Sequence, residues 1–146
     1  MASATLKGIY VLIIRLDRDI AVNVGAKGRF TFGEGLYAYA GSAQNNLEKR
    51  VNRHLRRDKR KFWHVDYLLD NCAAKVMEVL YKEGEKSEEC KVAEALGEIC
   101  GLVAGFGASD CGCRSHLFKI YDYGLLEKLM YRLDFESSCL REEHGE

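Results

Sequence analysis

The chain has 146 residues, of which 47% are hydrophobic and 30% charged, and its formal net charge at pH 7 is zero. This length suits one domain with its own core, and the neutral balance excludes a protein that attracts nucleic acid through its overall charge. No apolar run is long enough to cross a bilayer, and the N-terminus lacks the apolar segment of a signal peptide. We therefore expect a cytoplasmic protein without a membrane contact.

The first part of the chain is predicted to form strands. Gly8–Leu16 is an almost continuous apolar run rich in β-branched residues, which is typical of a central strand. Residues 20–24 and 29–32 are short strand candidates on either side of a Gly-Ala-Lys-Gly hairpin signal, and residues 36–40 form the next strand. These patterns predict an antiparallel meander.

Small residues then lead into a basic helix. Gly41, Ser42 and Ala43 let a ligand approach the backbone closely. Asn45, followed three residues later by Glu48, signals the start of a helix. The change from strand to helix therefore occurs at a turn that a ligand can reach.

The sequence gives this helix two distinct faces. Leu47, Val51 and Leu55 recur every four residues and form its buried stripe. Beside that stripe, two cations and an imidazole recur on one side, and they belong to Arg50, His54 and Arg57. Eight Lys and Arg stand against one Asp in residues 49–61, and such a strip can bind phosphates. Besides Ser42 in the turn, the expected phosphate contacts are Arg53, Arg57, Arg60 and Lys61. A solvated basic face is the alternative interpretation.

The remainder of the chain alternates helices and strands. In chain order the pattern predicts a short helix or a strand at 62–70, a strand at 75–81, a helix from Ser87 to about Cys100, a glycine-rich loop at 101–112, a strand at 116–121, a closing helix around 125–133 and a polar tail at 136–146. We therefore predict an α+β fold. It forms one domain over residues 1–146, with a core at about 8–100 and a C-terminal extension at 101–135.

One acidic residue lies on the apolar face of the helix that follows Ser87. At ~100° per residue, Glu89 falls in the middle of the face shared by Val92, Ala93 and Leu96, and Glu94 points the other way. A carboxylate on an inward face is costly unless it is paired or binds a metal. Glu89 is therefore a candidate metal ligand, and the alternative is an acidic residue favoured by the helix dipole.

Two tripeptides carry a resemblance to a known family. Gly8-Ile9-Tyr10 and Tyr39-Ala40-Gly41 resemble the signature motifs of the GIY-YIG nuclease superfamily, with Ala in the middle of the second. The following Gly-Ser-Ala and Leu-Glu-Lys-Arg-Val-Asn-Arg-His are similar to the matching segment of phage homing endonucleases. The resemblance covers residues 8–100, and the whole chain looks like an uncharacterised prokaryotic branch sometimes found alongside base-excision glycosylases.

The resemblance implies a small domain with a central, mainly antiparallel sheet flanked by helices. It also implies phosphodiester hydrolysis with one divalent ion, Mg²⁺ or Mn²⁺, and Mg²⁺ suits one carboxylate with waters and phosphate oxygens. For Tyr10 the implied role is either that of the general base that activates water or that of a group that positions the water for a metal hydroxide. The other implied roles are a hydrogen bond to water or phosphate from Tyr39, charge stabilisation by Arg50, assistance by His54 and metal binding by Glu89. A free tyrosine titrates near pKa 10, so a tyrosine base needs positive charge beside it. Ordinary strand packing is the alternative for both tyrosines.

The chain departs from the superfamily pattern in three ways. Tyr10 and Tyr39 are farther apart than usual, which predicts an inserted hairpin at about 18–33. No asparagine follows Asn71, so the late active-site asparagine of many members is missing. No separate DNA-binding domain is attached, so sequence-specific recognition is not expected.

The cysteines offer another candidate site. There are six, too scattered for a secreted disulfide framework. Cys111, Cys113 and His116 could bind zinc, with Cys90 or another thiol as the fourth ligand. Because this spacing is not a standard zinc pattern, core thiols or a disulfide explain it better.

The sequence therefore predicts a metal-dependent endonuclease that acts on structured or damaged DNA in repair. It does not decide whether RNA is also a substrate, or whether a repair glycosylase is a partner. The first alternative is an inactive module that binds nucleic acid and recruits a repair enzyme. The second is a metal- or redox-responsive protein built on the cysteine cluster. In the nuclease hypothesis, Tyr10, Tyr39, Arg50 and Glu89 line one concave surface with His54 beside them.

Overall fold

The structure is a computed structural model that describes residues 7–25, 28–56, 64–103, 106 and 115–139. The strands are β1 (Gly8–Leu16), β2 (Ile20–Asn23), β3 (Arg29–Phe32), β4 (Gly35–Ala43), β5 (Ala74–Glu83), β6 (Gly101–Leu102), β7 (Leu117–Ile120) and β8 (Glu136–Cys139). The helices are α1 (Leu47–Leu55), α2 (His64–Leu69), α3 (Ser87–Ile99) and α4 (Tyr123–Arg132).

The main sheet has six strands in the order β6-β7-β4-β1-β5-β8, and its neighbours pair antiparallel. The apolar strand β1 lies between β4 and β5, where both of its edges are paired, and this burial explains its continuous run of hydrophobic residues. β2 and β3 form a separate hairpin, at the place where the sequence predicts an insertion. The α+β prediction with a mainly antiparallel sheet is confirmed.

Two hydrophobic clusters cover the two faces of the sheet. Alternate residues of β1 point to opposite faces. Tyr10 and Leu12 pack with Leu47 and Val51 of α1 and with residues of α2, whereas Ile9 packs with residues of α3 and α4. The sheet is therefore a middle layer, with α1 and α2 on one side and α3 and α4 on the other.

The helix α1 begins one residue later than its predicted cap. Asn46, not Asn45, has the extended backbone of a cap residue, and its side chain accepts a hydrogen bond of 2.9 Å from the Lys49 amide. Asparagine caps a helix by satisfying an amide that has no partner within the helix. Two adjacent asparagines carry the same signal in the sequence, and the backbone conformation decides between them.

The C-terminal part contains two strands where the sequence predicts none. Gly101–Leu102, in the predicted loop, pairs with β7. Glu136–Cys139, at the start of the predicted polar tail, pairs with β5 at the edge of the sheet. An edge strand needs only backbone pairing on one side, so a polar segment can form one without a hydrophobic pattern.

In the part of the chain that the structure describes, no helix has the length and hydrophobicity needed to span a membrane.

Candidate active site

Tyr10 lies at the centre of the candidate site. Its side chain is 2% exposed, and its hydroxyl oxygen lies 2.7 Å from Nε2 of His54. Burial raises the pKa of Tyr10 above its ordinary value, and the charge of Arg50 and its hydrogen bond to the phenol act in the opposite direction. The phenol oxygen therefore sits between an imidazole and a guanidinium.

Two glycines of the signature tripeptides have a steric role here. Tyr10 pairs with Gly41 across the sheet, and a Cβ on Gly41 would lie 2.5 Å from Cζ and from the hydroxyl oxygen of Tyr10. A Cβ on Gly8 would lie 2.8 Å from Cδ2 of Leu47. The chain therefore has glycine where the Tyr10 ring crosses β4 and where α1 packs closely on β1.

Arg50 connects Tyr10 to the end of β4. Its Nη1 donates a hydrogen bond of 2.9 Å to the backbone carbonyl of Ser42. That bond holds the guanidinium at the end of β4, beside the segment that leads into α1. The side chain of Ser42 points to the other face of the sheet.

On that other face, Ser42 contacts Glu89. The Ser42 hydroxyl donates a hydrogen bond of 2.8 Å to Oε1 of Glu89, in the first turn of α3. Nδ1 of His116 lies 2.7 Å from Oε2 of the same carboxylate. His116 is 1% exposed and the Glu89 side chain 14%. Glu89 is thus half-buried and held between two polar groups, whereas Glu94 is exposed, as the helical pattern predicts.

The structure does not place Glu89 on the face of Tyr10. Glu89 belongs to α3, whose Val92 packs in one cluster with Ile9 on one side of the sheet, while Tyr10 packs against α1 on the other. The two groups approach each other at the end of β4, where Ser42 contacts Arg50 through its carbonyl and Glu89 through its hydroxyl. The prediction that these residues line one concave surface is therefore wrong, because they meet around the end of a strand from opposite faces of the sheet.

Tyr39 completes the group on the α1 face. It is 5% exposed, and its ring meets the His54 ring edge-on with centroids 6.3 Å apart. Burial raises the pKa of Tyr39 well above its ordinary value; the charges of Tyr10, Glu89 and Asp66 add to this shift, and Arg50 opposes it. Electrostatically, Glu89 therefore acts on residues of the opposite face.

Sequence reasoning missed Asp66. This aspartate of α2 is fully buried, and its two oxygens each accept a hydrogen bond of 3.0 Å from the Nη atoms of Arg53. Oδ1 of Asp66 also lies 4.0 Å from Nδ1 of His54. In the sequence, Asp66 lies between the apolar residues Val65 and Leu68. A carboxylate on an inward helix face is costly unless it is paired or binds a metal, and this signal, which indicates Glu89, could also have indicated Asp66.

The structure describes only part of the predicted phosphate-binding strip. An open groove of about 710 Å³ runs along α1, with Lys49, Arg50 and Arg56 among its lining residues. Arg53 also lines the groove, but its guanidinium is directed to Asp66. Ser42 likewise contacts groups of the protein itself. Three predicted contacts, at Arg57, Arg60 and Lys61, lie outside the described residues.

The structure describes only part of the cysteine cluster that could bind zinc. Cys111 and Cys113 lie outside the described residues, and His116 lies beside Glu89. No three His, Cys, Asp or Glu side chains are grouped as a metal site within the described ranges. Cys72 is exposed, and burial raises the pKa of the Cys100 thiol to about 11, which makes that thiol less reactive.

Comparison with known proteins identifies the family. The family model described as "Domain of unknown function DUF123" matches residues 9–134, so the chain belongs to that family. No curated protein and no solved structure matches the chain. The match spans β1 to α4 and includes Tyr10, Asp66, Glu89 and His116.

Proposed function

We propose that this DUF123 protein is a metal-dependent endonuclease that hydrolyses phosphodiester bonds of DNA, as its resemblance to the GIY-YIG nucleases suggests. One observation carries the proposal: a path of contacts around the end of β4. Tyr10 contacts His54 and Arg50, Arg50 contacts Ser42, and Ser42 contacts Glu89. A base, a cation and a carboxylate are the groups that such hydrolysis needs.

In the proposed reaction, Tyr10 removes a proton from the attacking water. The resulting hydroxide forms a bond to phosphorus, the bond from phosphorus to the leaving sugar oxygen breaks, and that oxygen takes a proton from solvent. The hydroxyl proton of Tyr10 first moves to Nε2 of His54, which is 2.7 Å away. Burial opposes this transfer because it raises the pKa of Tyr10, and the adjacent Arg50 favours it. The same guanidinium can offset the negative charge that develops on the phosphoryl oxygens.

Glu89 suits a divalent cation. It is a half-buried carboxylate whose oxygens also contact a hydroxyl and an imidazole, and each carboxylate oxygen has two lone pairs, so it can accept more than one partner. A single carboxylate completed by waters and phosphate oxygens is a usual set of ligands for Mg²⁺. When bound, such an ion supplies Lewis-acid stabilisation of phosphate charge.

The groove along α1 is the proposed path of the DNA backbone. Lys49 and Arg56 are exposed there, and Arg50 connects the groove to Tyr10. Since cations that neutralise phosphates release counterions, DNA affinity should fall steeply with salt. Affinity that does not respond to ionic strength would contradict this path.

A second candidate is the module that binds DNA without cutting it and recruits a repair enzyme. The burial of the tyrosines favours it, because Tyr10 and Tyr39 are only 2% and 5% exposed. A phenol that phosphate and water cannot reach does not act as a base. In this function, the groove along α1 would serve for binding alone.

The deciding experiment uses Glu89→Gln with Glu94→Gln as its matched control. Both substitutions remove one carboxylate from α3, but only Glu89 contacts Ser42 and His116. Wild type and Glu94→Gln should cleave branched, nicked or single-stranded DNA with Mg²⁺ or Mn²⁺. Glu89→Gln should bind DNA in the presence of a chelator as wild type does, but should not cleave it or bind Mn²⁺ in calorimetry.

One result would overturn the metal site at Glu89, and another would overturn the nuclease itself. If Glu89→Gln cleaves at the wild-type rate, the metal site is elsewhere. If wild type cuts none of these substrates with either ion, yet binds them with a steep salt dependence, the recruiting module becomes the function.

A further inference from the structure

The buried pair of Asp66 and Arg53 has no role in the reaction described above. Asp66 has no exposed surface, and Arg53 reaches it with both Nη atoms from a side chain that is 23% exposed. A buried carboxylate is retained only where it is paired.

His54 lies between this carboxylate and Tyr10. Its Nε2 is 2.7 Å from the Tyr10 hydroxyl, and its Nδ1 is 4.0 Å from Oδ1 of Asp66. The Tyr39 ring also faces it. The distance to Asp66 is longer than a hydrogen bond, so the carboxylate acts on the imidazole through its charge.

The charge of Asp66 stabilises one of the two tautomers of the neutral His54 imidazole more than the other. A proton on Nδ1 points its positive end towards Asp66 and leaves Nε2 as an acceptor. A proton on Nε2 would instead compete with the Tyr10 hydroxyl. The negative charge of Asp66 favours the first tautomer, and the low dielectric around a buried group strengthens this preference.

We propose that Asp66 is a positioning residue that holds His54 in the tautomer whose Nε2 accepts the Tyr10 hydroxyl, and that Arg53 supplies the counter-charge that keeps this carboxylate buried. The inference rests on the proposed function for its effect on cleavage. Its effect on the imidazole does not depend on catalysis. The alternative is that Asp66 only anchors Arg53, and through it α1 on α2.

The tautomer can be measured directly in the folded protein. Long-range ¹H–¹⁵N spectra of the His54 ring should show the Nδ1–H form in wild type at a pH where the imidazole is neutral. In Asp66→Asn the ratio of this form to the Nε2–H form should fall by about tenfold, because the charge is gone. Asp70→Asn is the control, since Asp70 is exposed at the end of the same helix and its loss should leave the ratio unchanged.

The double variant Arg53→Leu/Asp66→Leu tests the anchoring alternative. Removing a buried pair together and replacing it with apolar residues is often neutral for stability. If Asp66 only anchors the fold, this variant should keep both the wild-type tautomer ratio and the wild-type rate. We expect the ratio to fall and kcat to drop about 10- to 100-fold, as for other outer residues that orient a functional group.

Each result decides the inference. An unchanged tautomer ratio in Asp66→Asn and in the double variant would overturn it, whether or not the protein cleaves DNA. A changed ratio with unchanged kcat would overturn the positioning role. A changed ratio in a protein whose wild type never cleaves DNA would preserve the orientation of His54 by Asp66 and remove the nuclease alone.

Discussion

The helices α1 and α3 pack on opposite faces of one sheet, and α1 buries a polar side chain beside its apolar ones, whereas the buried residues of α3 are all apolar. The interior of α1 includes His54, 2% exposed, and places Arg53 against a buried carboxylate. The residues that α3 buries are Val92, Ala93 and Leu96, and Glu89 lies in its first turn. Burying polar groups costs free energy unless each finds a partner, so the stability of the α1 face depends on the pairing of its buried polar groups.

This difference predicts which substitutions should change cleavage or the free energy of unfolding. On the α1 face, a residue that is changed alone leaves another polar group buried without its partner. On the α3 face, most substitutions change apolar contacts, and Glu89 at its first turn is the exception. Four predictions follow this contrast, from the largest expected effect to the smallest.

The substitution Tyr10→Phe should affect cleavage most. It removes only a hydroxyl, so the protein should fold, while single-turnover cleavage should fall about 10²–10⁴-fold, the usual contribution of a general base. The control on the opposite face is Tyr123→Phe, which removes a hydroxyl bonded to Glu78. If both variants cleave equally well, the α1 face is not where the chemistry occurs.

The substitution Arg53→Ala should destabilise the fold. It leaves Asp66 as a buried carboxylate without its paired guanidinium, which should lower the free energy of unfolding by about 3 kcal/mol. Arg56→Ala, at an exposed position after the same helix, should change it by less than about 0.5 kcal/mol. Denaturant unfolding at neutral pH measures both, and equal values would show that the buried pair contributes nothing.

Two glycine-to-alanine substitutions, one on each face of the sheet, should change the free energy of unfolding in opposite directions. Gly41→Ala places a methyl group against the Tyr10 ring and should destabilise the protein by about 1–3 kcal/mol through overpacking. In α3, the Cβ of Gly97→Ala would meet Phe118 at an ordinary 3.6 Å. That variant should stabilise the protein by about 0.5–1 kcal/mol, because glycine is a poor helix residue. The same sign for both variants in urea unfolding would contradict the close packing of Tyr10 on β4.

Alkaline pH should lower the free energy of unfolding through the buried tyrosines of the α1 face. Burial raises the pKa of Tyr10 and of Tyr39 above 10.0, the ordinary value. Their contribution to stability is therefore complete below pH 10 and is lost above it, as the unfolded chain releases protons that the folded protein keeps. Each tyrosine should lower the free energy of unfolding by about 1.4 kcal/mol per pH unit there. Tyr39→Phe should remove one such slope, while Tyr131→Phe, at a position 84% exposed, should not. Identical slopes in all three proteins would exclude the raised pKa of Tyr39.

The sequence by itself determined the features that depend on local pattern. The apolar run of β1, the basic amphipathic helix α1 and the inward position of Glu89 on α3 follow from periodicities within one element. At Gly41 the sequence indicates a close approach to the backbone by a ligand, but in the structure the Tyr10 ring occupies that space. The cap of α1 could be placed only to within one residue, because Asn45 and Asn46 have the same chemistry.

Tertiary structure alone decided which of these elements meet. The pairing of Asp66 with Arg53 joins two helices, and the contact of His116 with Glu89 joins α3 to the segment before β7. The sheet decided that Glu89 reaches Ser42 from the face opposite Tyr10. Such contacts depend on strand order and on which face each helix covers, and these are settled by the burial of the whole chain. A single helix or strand pattern does not contain that information, because every amphipathic element shows only that it has an inner face, not what lies against it.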